Sequence, residues 1–247
     1  DQAFFGEGEF IGFGFRSRIE GGRLLLLDVF ENTPAADAGL RRGDEIVAID
    51  SGSGYVSVAD ILVSDPSLEG AFGPAQTGVQ RGIEYRRPAV AGTTRVTLVK
   101  RLNTITPISP NGGIRVLSLP SNPSVEVGYV ALRSYISTAR NPLLDAFAEF
   151  RQKGIDFFIV DLRYNGGGLV SISDLIGDLF GEGLGGRMYS GLRFNAARGP
   201  ANNTTRNFQP LSQSVSPLKI AFITTGSTAS ASEMTVNSME PWVEIAI

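Results

Sequence analysis

Up to about residue 105 the apolar and polar positions follow the rhythm of short strands, and beyond it strands and helices alternate. Residues 11–18 and 23–30 read as two strands separated by the turn Glu20-Gly21-Gly22. A short helix follows: Thr33 is placed to cap it, Pro34 takes the first helical position, Ala35, Ala36 and Ala38 carry it, and Gly39 ends it. Residues 44–50 predict another strand. After a Gly/Ser turn and a variable stretch rich in Gly and Pro, residues 93–101 read as a closing strand. The first part of the chain is thus expected to be a small β-rich module with short helices.

In the second part, residues 128–135 predict a strand and 141–153 a helix. Asn141 is expected to cap that helix, Pro142 to open it and Gly154 to close it, with Leu143, Leu144, Phe147 and Phe150 on one apolar face. Residues 156–162 form a nearly continuous apolar run, the pattern of a strand buried on both faces. It leads into Asn165-Gly166-Gly167-Gly168 and a helix over 171–180. Residues 181–217 are long, Gly/Asn/Pro-rich and weakly patterned, and such a loop is a lid, a hairpin or disordered. A buried strand over 219–225 and a helix over 228–239 complete the order, which argues for an α/β domain with a substantially parallel sheet. The expected division is a linker over 1–10, the β-rich module over 11–104 and the α/β domain over 105–247.

Composition narrows the chemistry. The 247 residues include no His and no Cys. That excludes a Ser-His-Asp triad, a His-ligated metal, a thiol nucleophile, a disulfide and a thiolate zinc site within the chain. Carboxylates, hydroxyls, amines and backbone dipoles remain, and no metal or organic cofactor is implied. With 22 basic against 25 acidic side chains, there is no electrostatic case for nucleic acid or an anionic membrane. The strongest apolar runs, 24–27 and 220–223, are far too short to cross a bilayer. No targeting signal is visible. A start at Asp1 and a stop at Ile247 inside an apolar run are read as marks of a piece trimmed from a longer protein.

Three constellations could carry chemistry. In Gly12-Phe13-Gly14-Phe15 two glycines let successive N–H groups form a concave anion nest beside two apolar rings. The plainer alternative is a glycine-containing strand entry with two core aromatics. Asp161-Leu162-Arg163-Tyr164-Asn165-Gly166-Gly167-Gly168 stands at the carboxyl end of a buried strand, where open α/β sheets bind ligands, and its glycines leave N–H groups uncovered for an incoming oxygen. Its alternative is a tight turn with a local Asp161–Arg163 ion pair. In Gly226-Ser227-Thr228-Ala229-Ser230-Ala231-Ser232-Glu233 a serine opens a helix, where the positive end of the dipole favours an oxyanion. Here Ser227 or Thr228 could equally be a simple cap.

The flanking sequence carries a resemblance. Gly12-Phe13-Gly14-Phe15, Asn32-Thr33-Pro34-Ala35 to Ala38-Gly39-Leu40, and Arg42-Gly43-Asp44-Glu45-Ile46-Val47-Ala48-Ile49-Asp50 resemble a PDZ domain of the type attached to bacterial proteases. The resemblance implies capture of a polypeptide C-terminus, with the carboxylate on the N–H groups of Phe13, Gly14 and Phe15 and the tail added as a strand. It departs from the pattern between about residues 64 and 88, where an insertion leaves the far wall of the groove undefined. An N-G-G-G turn followed by T-A-S-A-S-E, both after such a module, resembles the carboxyl-terminal processing peptidases, or tail-specific proteases, whose core is similar to the crotonase and ClpP folds. That resemblance puts the nucleophile on Ser230, the oxyanion donors on the N–H groups of Ala231 and Gly168, and Gly167 in the turn that shapes the site. It also implies polypeptide substrates with free C-termini and an exported, periplasmic or envelope setting.

Most such peptidases activate the serine with a lysine. None of the three lysines, Lys100, Lys153 and Lys219, is a credible base: Lys219 starts the strand that leads to Ser230, roughly 20 Å from its other end. Ser216-Pro217-Leu218-Lys219 matches the S-x-x-K pattern of penicillin-binding enzymes, but Lys219 runs directly into a strand and no partner motif follows. The resemblance places the base about 25 residues beyond Ser230, near position 255 and past Ile247. The expected function is a serine endopeptidase whose visible chain is nearly inactive. The alternative is a binding protein on the same scaffold, either a peptide-binding adaptor or a lipophile carrier.

Overall fold

A computed structural model describes residues 2–247. They divide into two units, 9–105 and 106–247, with residues 2–8 belonging to the second. The expected N-terminal linker is therefore structured. Its first part is helix α1 (Gln2–Glu7), where the Gly6 carbonyl accepts the Ser137 hydroxyl, and its end enters strand β1 (Glu9–Gly12).

In the first unit, β1 is followed by β2 (Phe15–Glu20), β3 (Arg23–Val29), α2 (Pro34–Asp37), β4 (Glu45–Asp50), β5 (Tyr55–Ser57), α3 (Val58–Ser64), α4 (Glu69–Phe72), β6 (Gln80–Arg86), β7 (Thr94–Val99) and β8 (Arg101–Thr104). The main sheet has the order β2-β3-β4-β6-β7, with β5 on β4, while β1 pairs β8 separately. The strand expected over 11–18 is thus broken at Phe13-Gly14. Gly14 sits at φ 93, and a Cβ there would overlap the Thr33 side chain, so the chain can change sheets only with glycine at this point. Thr33 caps α2 as expected, accepting from the Ala36 N–H at 3.4 Å. The closing strand splits likewise, into β7 and β8 with Lys100 between them. The variable stretch holds β5, α3, α4 and β6. Leu24, Leu26, Ile46, Ile49, Ile83 and Leu98 form the core of this unit.

The second unit continues with β9 (Ile114–Leu119), β10 (Asn122–Ala131), a 3-10 turn at Ser137–Ala139, α5 (Arg140–Lys153), β11 (Phe157–Asp161), α6 (Val170–Phe180), β12 (Met188–Leu192), α7 (Gly199–Asn202), β13 (Thr204–Asn207), β14 (Lys219–Ile223), α8 (Ala231–Met239) and β15 (Glu244–Ala246). Its sheet runs β15-β14-β11-β10-β9, with β10, β11, β14 and β15 parallel and only β9 antiparallel. The fold is mixed α/β. Strand β10 begins earlier and ends earlier than the apolar pattern predicts, and β9 escapes that pattern altogether. Asn141 does not cap α5, because the 3-10 turn runs straight into the helix from Ala139. Residues 181–217 hold the antiparallel hairpin β12–β13.

Aromatic packing ties helices to sheet. Phe147 of α5 lies 4.8 Å from Phe180 of α6, edge to face, and stacks at 6.1 Å on Phe158 of β11. With Phe147 only 1% exposed, Phe147→Ala is expected to lower stability by about 3–5 kcal/mol. Val63→Ala, at an 86% exposed position of the other unit, should shift it by less than about 0.5 kcal/mol. Urea denaturation reads both, and equal midpoints would refute the assignment of this cluster as core.

Candidate active site

Strands β11 and β14 lie side by side and parallel, with Asp161 opposite Ile223. Their carboxyl ends therefore release two turns at one place, 162–169 and 224–230. The Leu162 N–H donates to the Ile223 carbonyl at 2.8 Å, which extends the pairing one step into the turns.

Asn165, fully buried, knots the turns together. Its Nδ2 donates to the Leu132 carbonyl at 2.7 Å, beyond the end of β10, and its Oδ1 accepts the Gly167 N–H at 2.9 Å. Its own carbonyl accepts the Ala229 N–H at 3.2 Å and the Ser232 hydroxyl at 3.1 Å. One side chain and one peptide thus fix three segments. The Tyr135 N–H donates to the Gly167 carbonyl at 3.0 Å, and the Leu169 N–H to the Tyr135 carbonyl at 2.7 Å. The glycines are required by contact. A Cβ on Gly167 would stand 2.7 Å from the Ala231 nitrogen and 2.8 Å from Ser230 Cβ, and one on Gly168 would overlap the Tyr135 carbonyl oxygen.

Ser230 is exposed and immediately precedes α8, with φ 57 and ψ −120. A non-glycine residue in that region stores about 1–3 kcal/mol of strain, tolerated where the surroundings over-determine it. Here the Ser230 N–H donates to the Glu233 carboxylate at 2.8 Å, and its carbonyl accepts the Met234 N–H at 2.9 Å. Among the described residues, the N–H groups of Gly168 and Ala231 have no protein acceptor. The structure therefore brings Gly167, Gly168, Ser230 and Ala231 together, with two unused donors and a strained serine at a helix mouth. Thr228 is not the cap: its hydroxyl donates to the Leu162 carbonyl at 2.8 Å.

Below the turn runs a buried chain of hydroxyls that the sequence patterns did not reveal. Tyr135 donates to Thr235 at 2.9 Å, Thr235 lies 2.9 Å from Ser173, and Ser173 lies 2.9 Å from Tyr189. Burial pushes the phenols of Tyr135 and Tyr189 up, so both stay protonated donors. These residues span 100 positions and share no spacing. Glu233, by contrast, has a local signal that would have found it, as the fourth residue of a Ser-x-x-Glu capping box beginning at Ser230.

The Asp161–Arg163 ion pair is present, the guanidinium Nε lying 2.9 Å from Oδ1 and 3.0 Å from Oδ2, with the Tyr129 hydroxyl at 2.8 Å. Burial raises the Asp161 carboxyl, but Arg163, the Arg163 N–H and Tyr129 outweigh it and hold the group below the ordinary carboxylate range. The lysines are engaged elsewhere. Lys153 pairs with Glu149 at 3.6 Å and Lys219 with Glu244 at 2.6 Å. Lys100 Nζ donates to the carbonyls of Gly73 and Pro74 at 2.6 and 2.9 Å, and burial lowers its pKa.

In the first unit, the carbonyls of Phe13 and Gly14 accept from Ala35 and Phe30, each at 2.9 Å. The N–H groups of Phe13 and Gly14 have no protein acceptor among the described residues. Phe15 opens β2, which forms one edge of the main sheet. The segment at 64–88 supplies Phe72, whose ring lies 6.3 Å from Phe13 and 5.7 Å from Phe15. Asp65 holds the start of α4 by accepting the Gly70 N–H at 2.8 Å, and Arg81 Nε caps its end at the Ala71 carbonyl at 2.5 Å.

Residues 126–241 match the model of peptidase family S41. Over that segment the chain is similar to the peptidases of that family. Curated relatives are carboxyl-terminal processing proteases. Carboxyl-terminal-processing peptidase 1 of Arabidopsis thaliana is 29% identical over 65% of this chain and 31% of its own length. The carboxyl-terminal-processing protease of Synechocystis is 28% identical over 66% and 36%. The chain thus spans about a third of these relatives. Among solved structures, a Bacteroides fragilis protein described as an S41 protease shares the fold at TM-score 0.69 and 22% identity, over 95% of this chain and 62% of that one. The photosystem II D1 C-terminal processing protease does so at TM-score 0.50 and 22% identity, over 94% and 58%. No helix among the described residues is long and apolar enough to cross a membrane.

The Asp161 carboxylate gives a pH test. Its depressed pKa contributes stability above its unfolded value near ~3.9, and the contribution is lost as pH falls through the folded value. Asp161→Asn is therefore expected to weaken the protein at neutral pH and to flatten its loss of stability on acidification. Urea midpoints measured across the acid range check this, and parallel curves for the two proteins would refute it.

Proposed function

We propose that this chain is the tail-reading and nucleophile-bearing part of a serine endopeptidase of the carboxyl-terminal processing type. The observation that carries the reading is Ser230: exposed at the mouth of α8, held at φ 57, and packed against Gly167 beside the unbonded N–H groups of Gly168 and Ala231. In this reading the Ser230 hydroxyl attacks the scissile carbonyl carbon and passes its proton to a base. The carbonyl oxygen becomes an oxyanion held by the two N–H groups, each worth about 10²–10³ in rate. Collapse of the tetrahedral adduct expels the amine, which takes the proton from the base, and water then releases the acyl group from Ser230. The core is proposed to be of the crotonase and ClpP type.

The base is proposed to be a lysine supplied from outside these 247 residues. The absence of His and the engagement of Lys100, Lys153 and Lys219 in other contacts support this. A lysine desolvated in an apolar setting can be neutral and accept the serine proton.

The unit 9–105 is proposed to be a PDZ domain. The free N–H groups of Phe13 and Gly14, together with that of Phe15, would hold a C-terminal carboxylate while the tail joins the edge of β2. Phe72 supplies the wall that the sequence pattern left undefined. An exported or envelope setting agrees with the bacterial and chloroplast origin of the relatives.

The test uses unstructured peptides with free C-termini. The 247-residue chain is expected to bind them and to turn them over negligibly. A longer form with the lysine about 25 residues past Ser230 should cleave them, and Ser230→Ala should reduce that cleavage by at least ~10³-fold. Rapid Ser230-dependent cleavage by the 247-residue chain would remove the external base. Binding that survives amidation of the peptide C-terminus would remove the tail reader.

A further inference from the structure

Along one side of α8 lies a groove of about 370 Å³ that the oxyanion geometry does not use. Every residue of β12, from Met188 through Leu192, lines it, and the opposite wall is Met234, Asn237, Ser238 and Trp242. A strand lining a groove with one face would contribute alternate residues only. Five consecutive residues of β12 line the groove, and a bulge between Met188 and Ser190 breaks the alternation of its faces there. Strand β12 pairs with β13 along one edge, and its other edge has no strand partner among the described residues.

We propose that this groove receives an extended segment of polypeptide substrate with apolar side chains, added as a strand to the free edge of β12. The inference rests on the reading of Ser230 as the nucleophile, and names the substrate class that reaches it. Three observations carry it.

The groove follows the helix that Ser230 heads: Met234, Asn237 and Ser238 are three, six and seven residues beyond Ala231, where α8 begins, the spacing that stacks residues along one face. A chain lying on β12 therefore follows the side of α8 that Ser230 heads. The lining is mainly apolar, with Ser190, Asn237 and Ser238 as its polar side chains, and carries no Asp, Glu, Lys or Arg. Met188 and Leu192 are 55% and 47% exposed on a strand edge, where soluble proteins otherwise place charge. Finally, the strand is held rigid. Tyr189 is 4% exposed, and its hydroxyl donates to the Ser173 carbonyl at 2.9 Å. Arg206 of β13 pairs with Asp178 of α6. A preformed edge lowers the ordering cost of adding a strand.

Trp242 is the chain's single tryptophan, so its emission reports occupancy of the groove. The experiment titrates the Ser230→Ala protein with a short peptide alternating leucine and threonine and amidated at its C-terminus, which keeps it from a carboxylate reader. A saturable change in Trp242 emission is expected, weakened about 10-fold or more by Met188→Asp, by Leu192→Asp, or by aspartate in place of the peptide leucines, a factor equivalent to ~1.4 kcal/mol. Both positions are half exposed, and an unchanged melting temperature serves as the control for folding. Unchanged emission, or binding indifferent to both substitutions, would overturn the proposal. So would a dimer seen by light scattering that Leu192→Asp dissociates, since a second copy would then own the groove. Because the serine is already replaced, a failure of Ser230 as nucleophile appears only in the cleavage assay.

Discussion

The parallel pairing of β11 with β14 is the constraint on which the site depends. Residues 161 and 223 are 62 positions apart in the chain, yet register places them opposite one another. Each strand then ends in a turn that must satisfy its own backbone groups, and neither turn does so alone. Asn165 resolves this by bonding to Leu132, Gly167, Ala229 and Ser232. A buried amide with several partners is costly to disturb, because removing it leaves polar groups unpaired in a dry interior. The same knot that stabilises the turns brings Gly168 and Ser230 into one place.

Strain and preorganisation are two aspects of this arrangement. Ser230 keeps a backbone conformation unfavourable for a side chain with Cβ, and its neighbours leave it little alternative. The Glu233 carboxylate grips its N–H, position 167 approaches its Cβ so closely that only glycine fits there, and α8 begins at the next residue. Helix α8 is itself anchored by Thr235, which is bonded to Tyr135 and Ser173 in the buried hydroxyl chain. That chain reaches Tyr189, so the hairpin at 188–207 is joined through side chains to the helix whose first turn carries the serine.

The first unit shows a different solution to a similar problem. Its segment at 64–88 is anchored by apolar burial, with Leu68 1% exposed in the core and Ala71 and Phe72 packed against it. Charged and polar atoms add to this hold, Asp65 at the amino end of α4 and Arg81 and Lys100 on the carbonyls at and beyond its carboxyl end. These signs match the polarity of a helical turn. The result is that Phe72 rests on Phe13 and Phe15.

By itself the sequence determined the elements whose signals are local. Thr33-Pro34 and Gly39 mark α2, the apolar face of Leu143, Phe147 and Phe150 marks α5, and the run Phe157–Asp161 marks a buried strand. It also removed histidine and cysteine chemistry by composition alone, and the motifs around Gly168 and Ser230 were visible as a glycine turn and a serine helix start. Only the tertiary structure decided which strands adjoin, that Asn165 binds three segments, that Tyr135, Ser173, Tyr189 and Thr235 share a network, and that β12 offers an open edge along α8. The reason is physical. Helical and strand periodicities, caps and turns are set by residues within a few positions of one another. Register, buried hydrogen-bond networks and groove walls arise from residues tens of positions apart, which meet only when the core forms and whose spacing in the chain is free to vary.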